Sequence, residues 1–341
     1  MKKVKIGIVG LGRLGKKHAE NIAYKIPNAQ LLAVCSIVKE EVEQIQRDWD
    51  IKYVYTNFDD MLKNKELDAI FIASPSNFHC EQIAKALEAG FHVFSEKPLG
   101  LYVDEVKSVQ KIVNEHNNQI FMLGFMRRYD KSYAYAKQKI EEGIIGEPIL
   151  IRCYGIDPAS AMEGFIKFAK SNYSGGLFLD MAIHDFDLAR WFLNSEAIKV
   201  WAIGGVYAHP VIKEINDIET GAALIQFENN KMGIFVSGRN SAHGYHVETE
   251  IIGTNGAIRI GSVPEKNLVE IFDSDGTRKE CVGGFLERFE QAYLNEVEEF
   301  VDCIIQNRKP SVKVEDGVKS TIIAYACKKS FETGELVNID Q

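Results

Sequence analysis

"VKIGIVGLGRLGKKHAEN", residues 4–21, decides the fold. Val4, Ile6, Ile8 and Val9 make a short apolar strand, Gly10-x-Gly12-x-x-Gly15 follows, and Leu14, His18 and Ile22 open a helical period. Strand, glycine turn and helix in that order are the context a dinucleotide fingerprint requires. Gly10 permits the sharp turn. Gly12 removes the side chain that would keep a pyrophosphate off the backbone, and Gly15 lets the helix lie close to the strand. The helix N-terminus then offers unpaired N–H groups and partial positive charge to phosphates. Gly10, Gly12, Arg13, Leu14 and Gly15 are therefore the first cofactor-binding candidates.

The same alternation continues downstream. "QLLAVCSI" (30–37), "YVY" (53–55), "DAIFIAS" (68–74), "FHVFS" (91–95) and "QIFMLGF" (119–125) read as strands, separated by helical patterns. Continuous apolar runs between helices predict a doubly wound parallel sheet of the Rossmann type. Ligands of such sheets bind beyond the carboxyl ends of the strands. That rule puts Gly10–Gly15, Ser36, Ser74–His79, Glu96-Lys97-Pro98 and Phe125–Arg128 along one edge. Ser36, Ser74, Pro75, Asn77, His79, Glu96 and Lys97 join the cofactor candidates. Lys97 has two readings at this point: a catalytic ammonium at a cleft, or a salt-bridged lysine before a proline turn.

Ser36 departs from the usual pattern. The second strand of an NAD-binding fold commonly ends in an acid that takes the adenosine ribose hydroxyls and repels a 2′-phosphate. A serine can bond the ribose without excluding phosphate, and Lys39 is near in sequence, yet no arginine follows. The expectation is NAD with relaxed discrimination, NADP remaining open.

From about residue 127 the pattern changes, giving boundaries of 1–125 for the nucleotide domain and 126–341 for an α+β domain with a large, mostly antiparallel sheet. The last helix could pack back on the first domain. "SGGLFLDMAIHDFDLARWFLN" (174–194) predicts a helix after a double glycine. On it Asp180, His184 and Asp187, at i, i+4 and i+7, share an arc of roughly 60° at about 100° per residue. Catalytic residues or a capping acid with a helix-core histidine both fit that spacing. Strand signals then dominate from 199 to 273.

Composition bounds the rest. A chain of 341 residues, 46% hydrophobic and 26% charged, suits two globular domains. A net charge of −8 without a basic block argues against nucleic acid or anionic membranes. Met1-Lys2-Lys3 leads into a run too short for a signal-peptide core, so a cytoplasmic protein is expected. Six scattered cysteines without C-x-x-C read as buried thiols, and no metal site is expected.

The glycine turn, "SPSNFH" (74–79), "EKPLG" (96–100), "MRRYD" (126–130) and "GGLFLDMAIHDFDLARW" (175–191) together resemble the glucose–fructose oxidoreductase/inositol dehydrogenase/MocA family, over residues 3 to about 335. Within it, "YGIDPASAMEGF" and "GRNSAHGYHVETEIIGTNG" look most like the inositol 2-dehydrogenases. The resemblance implies oxidation of a ring hydroxyl of myo- or scyllo-inositol to a ketone, with hydride passing to a nicotinamide. It implies His184 as general base, Asp180 as its orienting acid and Lys97 as donor to the reacting oxygen. Arg127, Asp157, Asp187 and Tyr245 are then candidates for the neighbouring hydroxyls, and a homotetramer through the sheet is implied. Two rivals stay open: an oxidoreductase of another sugar or cyclitol, and a non-catalytic NAD(P)-binding regulator.

Overall fold

The computed structural model describes residues 3–261 and 264–339. Met1 and Lys2, which the sequence reading runs directly into the first strand, lie outside them. The chain divides into two compact units. One holds the residues up to Tyr129 together with Gln291–Thr321; the other holds Asp130–Glu290 and the chain from Ile322 onward.

In the first unit, strands β1 (Val4–Val9), β2 (Ala29–Cys35), β3 (Tyr53–Tyr55), β4 (Ala69–Ile72), β5 (His92–Glu96) and β6 (Phe121–Gly124) form one sheet in the order β3-β2-β1-β4-β5-β6. Every pairing is parallel. The order reverses between β1 and β4, which is where such sheets open a crevice for a ligand. Helices α1 (Arg13–Tyr24), α2 (Lys39–Trp49), α3 (Phe58–Met61), α4 (His79–Glu88) and α5 (Val103–Glu115) alternate with the strands. Because both sheet faces are covered, β4 reads as an unbroken apolar run, and all four of its residues are buried. Phe71 stacks on Phe94 at 4.1 Å between ring centroids.

The second unit begins with α6 (Lys131–Glu141), whose N-cap Asp130 accepts from the Ser132 and Tyr133 backbone N–H groups. Strand β7 (Pro148–Pro158) and helix α7 (Met162–Ser171) follow, then a π-helical turn at Phe178–Ala182 that runs into α8 (Ile183–Leu193). Strands β8 (Ala197–Gly205), β9 (Thr220–Phe227), β10 (Met232–Ser241), β11 (His246–Gly253) and β12 (Ala257–Ile260) continue the chain. With β7 and the terminal β15 (Val337–Asn338) they build a seven-stranded sheet ordered β12-β11-β7-β10-β9-β8-β15. Its pairings are antiparallel except β10 with β7. A separate hairpin joins β13 (Glu265–Asp273) to β14 (Gly276–Cys281). The sequence reading did not foresee α7, β14 or β15.

Three helices precede β15: α9 (Phe285–Arg288), α10 (Glu290–Gln306) and α11 (Val314–Thr333). Val297, Phe300 and Val301 of α10 sit in the core of the nucleotide-type unit with Ile6, Ile8 and Phe71. All six cysteines are free thiols. Among the described residues no helix is long and apolar enough to cross a membrane.

Candidate active site

In the first unit the three glycines differ in what forces them. Gly10 has φ +91°, and a Cβ there would lie 2.4 Å from the Ala73 carbonyl oxygen; one at Gly15 would lie 2.0 Å from the Gly10 carbonyl oxygen. Packing within the chain demands both. A Cβ at Gly12 would meet nothing within 4 Å, so packing within the chain does not require this glycine. Gly12 is also the N-cap of α1, with no side chain capping it, and Lys16 is the first residue to bond back to the Gly12 carbonyl, at 2.9 Å. The N–H groups of Arg13, Leu14 and Gly15 thus precede the first intrahelical bond. An open, glycine-lined helix N-terminus fits a dinucleotide pyrophosphate.

Gly10 N–H donates to the Cys35 carbonyl at 2.9 Å, tying the end of β2 to this cradle. Ser36, buried there, donates its hydroxyl proton to Glu41 Oε2 at 2.8 Å and accepts from the Val38 N–H at 3.2 Å. Glu41 was absent from the sequence candidates. Ser74 donates to Gln82 Oε1 at 2.6 Å, Pro75 precedes a short 3₁₀ turn (Ser76–Phe78), and Asn77 is exposed.

Two cofactor candidates prove to face the protein. His79 is buried with Nδ1 2.7 Å from the Pro98 carbonyl and Nε2 2.8 Å from the Ser74 carbonyl, so it braces two loops of the edge. Burial, the larger effect, holds its pKa below the usual histidine value against the pull of those carbonyls. Glu96 is buried as well. Its Oε1 lies 2.7 Å from His18 Nε2, and its Oε2 accepts from the Lys97 backbone N–H at 3.2 Å. Successive side chains alternate along an extended strand, so Glu96 turns inward while Lys97, half-buried, follows it at the carboxyl edge. The Lys97-Pro98 peptide is cis.

Behind Glu96 lies a cluster the sequence did not reveal. Glu296 of α10 is fully buried, its Oε1 is 4.0 Å from His18 Nε2, and neither of its oxygens has a hydrogen-bond partner. Burial first, and the Glu96 charge second, push its carboxyl well above the ordinary glutamate range. Phe71, Phe94 and Tyr293 surround the imidazole. Among the described residues this is the group of His and acids whose ligand atoms lie within 4.8 Å of one another. A metal with bonds of about 2.0–2.2 Å would hold its ligands roughly 3.3 Å apart, and the 2.7 Å contact of His18 with Glu96 is too short for an ion between them. Arg127 is buried on the 3₁₀ turn at Met126–Tyr129.

In the second unit, Gly175 and Gly176 have φ of +86° and +84°, and a Cβ at Gly175 would strike Leu179 at 2.3 Å. They deliver the chain into the π-helical turn that carries Asp180. This corrects the regular-helix expectation: Asp180 lies on a wider i→i+5 turn, and only His184 and Asp187 share the regular helix α8. Asp180 Oδ2 accepts from Arg239 Nη2 at 2.8 Å. Arg239, 4% exposed on β10, also has Asp157 at 3.9 Å and Asp217 at 4.0 Å, and its guanidinium lies 3.6 Å over the Phe165 ring. One cation thus organises three carboxylates. Desolvation raises the Asp217 carboxyl above its usual value despite Arg239 and two backbone donors. Arg239 lies in the "GRNSAHGYHVETEIIGTNG" stretch that carried the resemblance, but no role was assigned to it from the sequence. His184 is 8% exposed, Asp187 1% and Tyr245 4%, the last set edge-on to Phe289.

Residues 4–125 match the oxidoreductase family with an NAD-binding Rossmann fold (GFO_IDH_MocA), and residues 133–259 match the GFO/IDH/MocA C-terminal domain. The chain is 33% identical over 337 residues to scyllo-inositol 2-dehydrogenase (NAD(+)) of Bacillus subtilis, covering 99% of this chain and 96% of that protein. The scyllo-inositol dehydrogenase of Lactobacillus casei, solved with bound NAD(H) and scyllo-inositol, superposes with a TM-score of 0.96 at 51% identity, over 99% of each chain. The myo-inositol 2-dehydrogenase of Lactobacillus plantarum superposes with a TM-score of 0.97 at 42% identity, over 99% of this chain and 100% of that one.

Proposed function

The chain belongs to the GFO/IDH/MocA oxidoreductase family, and from that premise we propose that it is an NAD-dependent inositol 2-dehydrogenase, converting myo- or scyllo-inositol to the corresponding ketone. The observation that carries this reading is the 51% identity, over 99% of both chains, to a dehydrogenase solved with NAD(H) and scyllo-inositol. The nicotinamide supplies the hydride acceptor. The chain's own residues do the rest. Gly12 and the first N–H groups of α1 bind the pyrophosphate. Lys97 donates a hydrogen bond to the reacting hydroxyl and stabilises the negative charge that develops on its oxygen. His184 Nε2 or Nδ1 takes the hydroxyl proton, since an imidazole titrates close to neutral pH. Asp180 holds negative charge near the imidazolium that results, and Arg239 fixes the direction of that carboxylate. Arg127, Asp157, Asp187 and Tyr245 offer donors and acceptors to the remaining hydroxyls.

An activity panel tests the reading: myo-, scyllo- and chiro-inositol, glucose and xylose, each with NAD⁺ and NADP⁺. The expected result is a kcat/KM for myo- or scyllo-inositol with NAD⁺ at least about tenfold above glucose and xylose, a difference of roughly 1.4 kcal/mol. Higher values with glucose or xylose favour the related sugar oxidoreductase. Turnover of none of them favours the regulator.

The assembly completes the proposal. Trp201 and Ile203 of β8 and Leu224 of β9 are large, apolar and 40–51% exposed, and Trp201 pairs directly with Leu224 across the strands. Such a ladder on one sheet face suits burial against another copy. A homotetramer is the form we assign, working in inositol breakdown in the cytoplasm, where free NAD⁺ is at hand. Light scattering should return a mass near four times 38.4 kDa, and a monomer mass would contradict it.

A further inference from the structure

We propose that Glu41 sets the choice between NAD and NADP: its carboxylate, anchored by the Ser36 hydroxyl, does at the end of β2 what an acid at position 36 would do, accepting from the ribose hydroxyls and turning away a 2′-phosphate. The inference rests on dinucleotide binding at the glycine cradle.

Four observations carry it. The bond from Gly10 N–H to the Cys35 carbonyl, 2.9 Å, holds the end of β2 against the cradle, and Ser36 N–H is fixed on the Tyr55 carbonyl at 3.1 Å. Ser36 is therefore held in the slot that usually carries the acid. Second, a hydroxyl has one proton, and that of Ser36 is committed to Glu41 Oε2 at 2.8 Å. The Val38 N–H is also spent, on Ser36 Oγ at 3.2 Å. Neither group is left to donate to a phosphate. Third, Glu40 and Glu41 place negative charge in the first turn of α2, where an anion would otherwise find the helix N-terminus. Fourth, the nearby lysines already face acids: Lys16 lies 3.9 Å from Glu41 and Lys39 lies 3.3 Å from Glu43. A plain helix-start acid would account for the third observation, and Glu40 would serve there equally well. It does not account for the hydrogen bond to Ser36, which spans five residues and aims one particular carboxylate at the strand end.

The test is a fluorescence titration of NADH and NADPH against the whole protein at fixed ionic strength, for the unmodified chain, Glu41→Gln and the pair Ser36→Asp with Glu41→Gln. Glutamine keeps the shape of Glu41 and removes only its charge, at a partly exposed site, so the fold is preserved. The dissociation constant for NADPH should exceed that for NADH at least about tenfold in the unmodified chain. Glu41→Gln should narrow the ratio below about threefold, chiefly by tightening NADPH, and Ser36→Asp should restore it by returning an acid to the same place. A ratio near one in the unmodified chain overturns the inference, as does a tenfold ratio that survives Glu41→Gln. No inositol enters these measurements. A chain that bound the two cofactors as described but oxidised no inositol would lose the proposed function and keep this inference; the opposite pair of results would do the reverse.

Discussion

Replacing His184 by alanine is expected to lower turnover of inositol with NAD⁺ by roughly two to four orders of magnitude, while the dissociation constant for NADH should stay within about threefold. General-base catalysis is worth about that much, and the loss falls on kcat because the proton moves only in the reaction itself. Binding should survive because the cradle is built by Gly10, Gly12 and Gly15, which belong to the other unit. Lys97→Ala should lose a similar factor through the missing hydrogen bond to the developing oxyanion. Stopped-flow measurement of NADH formation, beside a fluorescence titration of cofactor, separates the two effects. Near-normal turnover in either variant would remove that residue from its role.

Arg239→Leu is expected to be the most damaging substitution to the second unit. It leaves Asp180, Asp157 and Asp217 without the cation they share, and breaking a buried ion pair by removing one partner costs about 3–5 kcal/mol. For a unit of this size that is a fall of roughly 6–20 °C in unfolding midpoint. The pH dependence carries a definite sign. The folded-state pKa of Asp217 is already raised by burial. A raised carboxyl adds stability only where it is protonated, and that contribution disappears as the pH climbs through its folded pKa. Removing Arg239 raises it further. The penalty should therefore be full at neutral pH and shrink as the pH falls toward the usual aspartate value. Thermal unfolding at several pH values measures it. A penalty independent of pH would mean that lost packing on Phe165, and not the stranded carboxylates, dominates. Arg239→Lys, which keeps the charge without the planar fork, should lose only part of the stability.

The first unit was legible because its information is local. The strand, glycine turn and helix at 4–21 lie within one stretch, and β4 and β5 announce themselves as apolar runs between helices. What the sequence hid came from distant pairings. Glu296 reaches His18 across most of the chain, and no spacing rule connects α10 with α1. Arg239 meets Asp180 from a strand 59 residues later. The double glycine signalled a turn before Asp180 but not that the helix would begin with a π turn. At the start of that turn Asp217, from 40 residues downstream, accepts from the Leu177 N–H through its Oδ1 at 2.8 Å. The strand that ends in Glu-Lys-Pro has a physical explanation in β5. One side chain is drawn inward to His18, and the next follows at the carboxyl edge where ligands bind in this architecture. Ser36 stands out in the sequence at the end of β2, but the acid that bonds to it lies on the following helix and was not foreseen.

The most direct test is a crystal structure of the chain with NADH and an inositol bound. It should show the Lys97 ammonium and one ring nitrogen of His184 both at hydrogen-bond distance, about 2.6–3.2 Å, from a single hydroxyl oxygen of the cyclitol. A bound inositol that contacts one of these side chains while the other lies out of reach of the same oxygen would contradict the account.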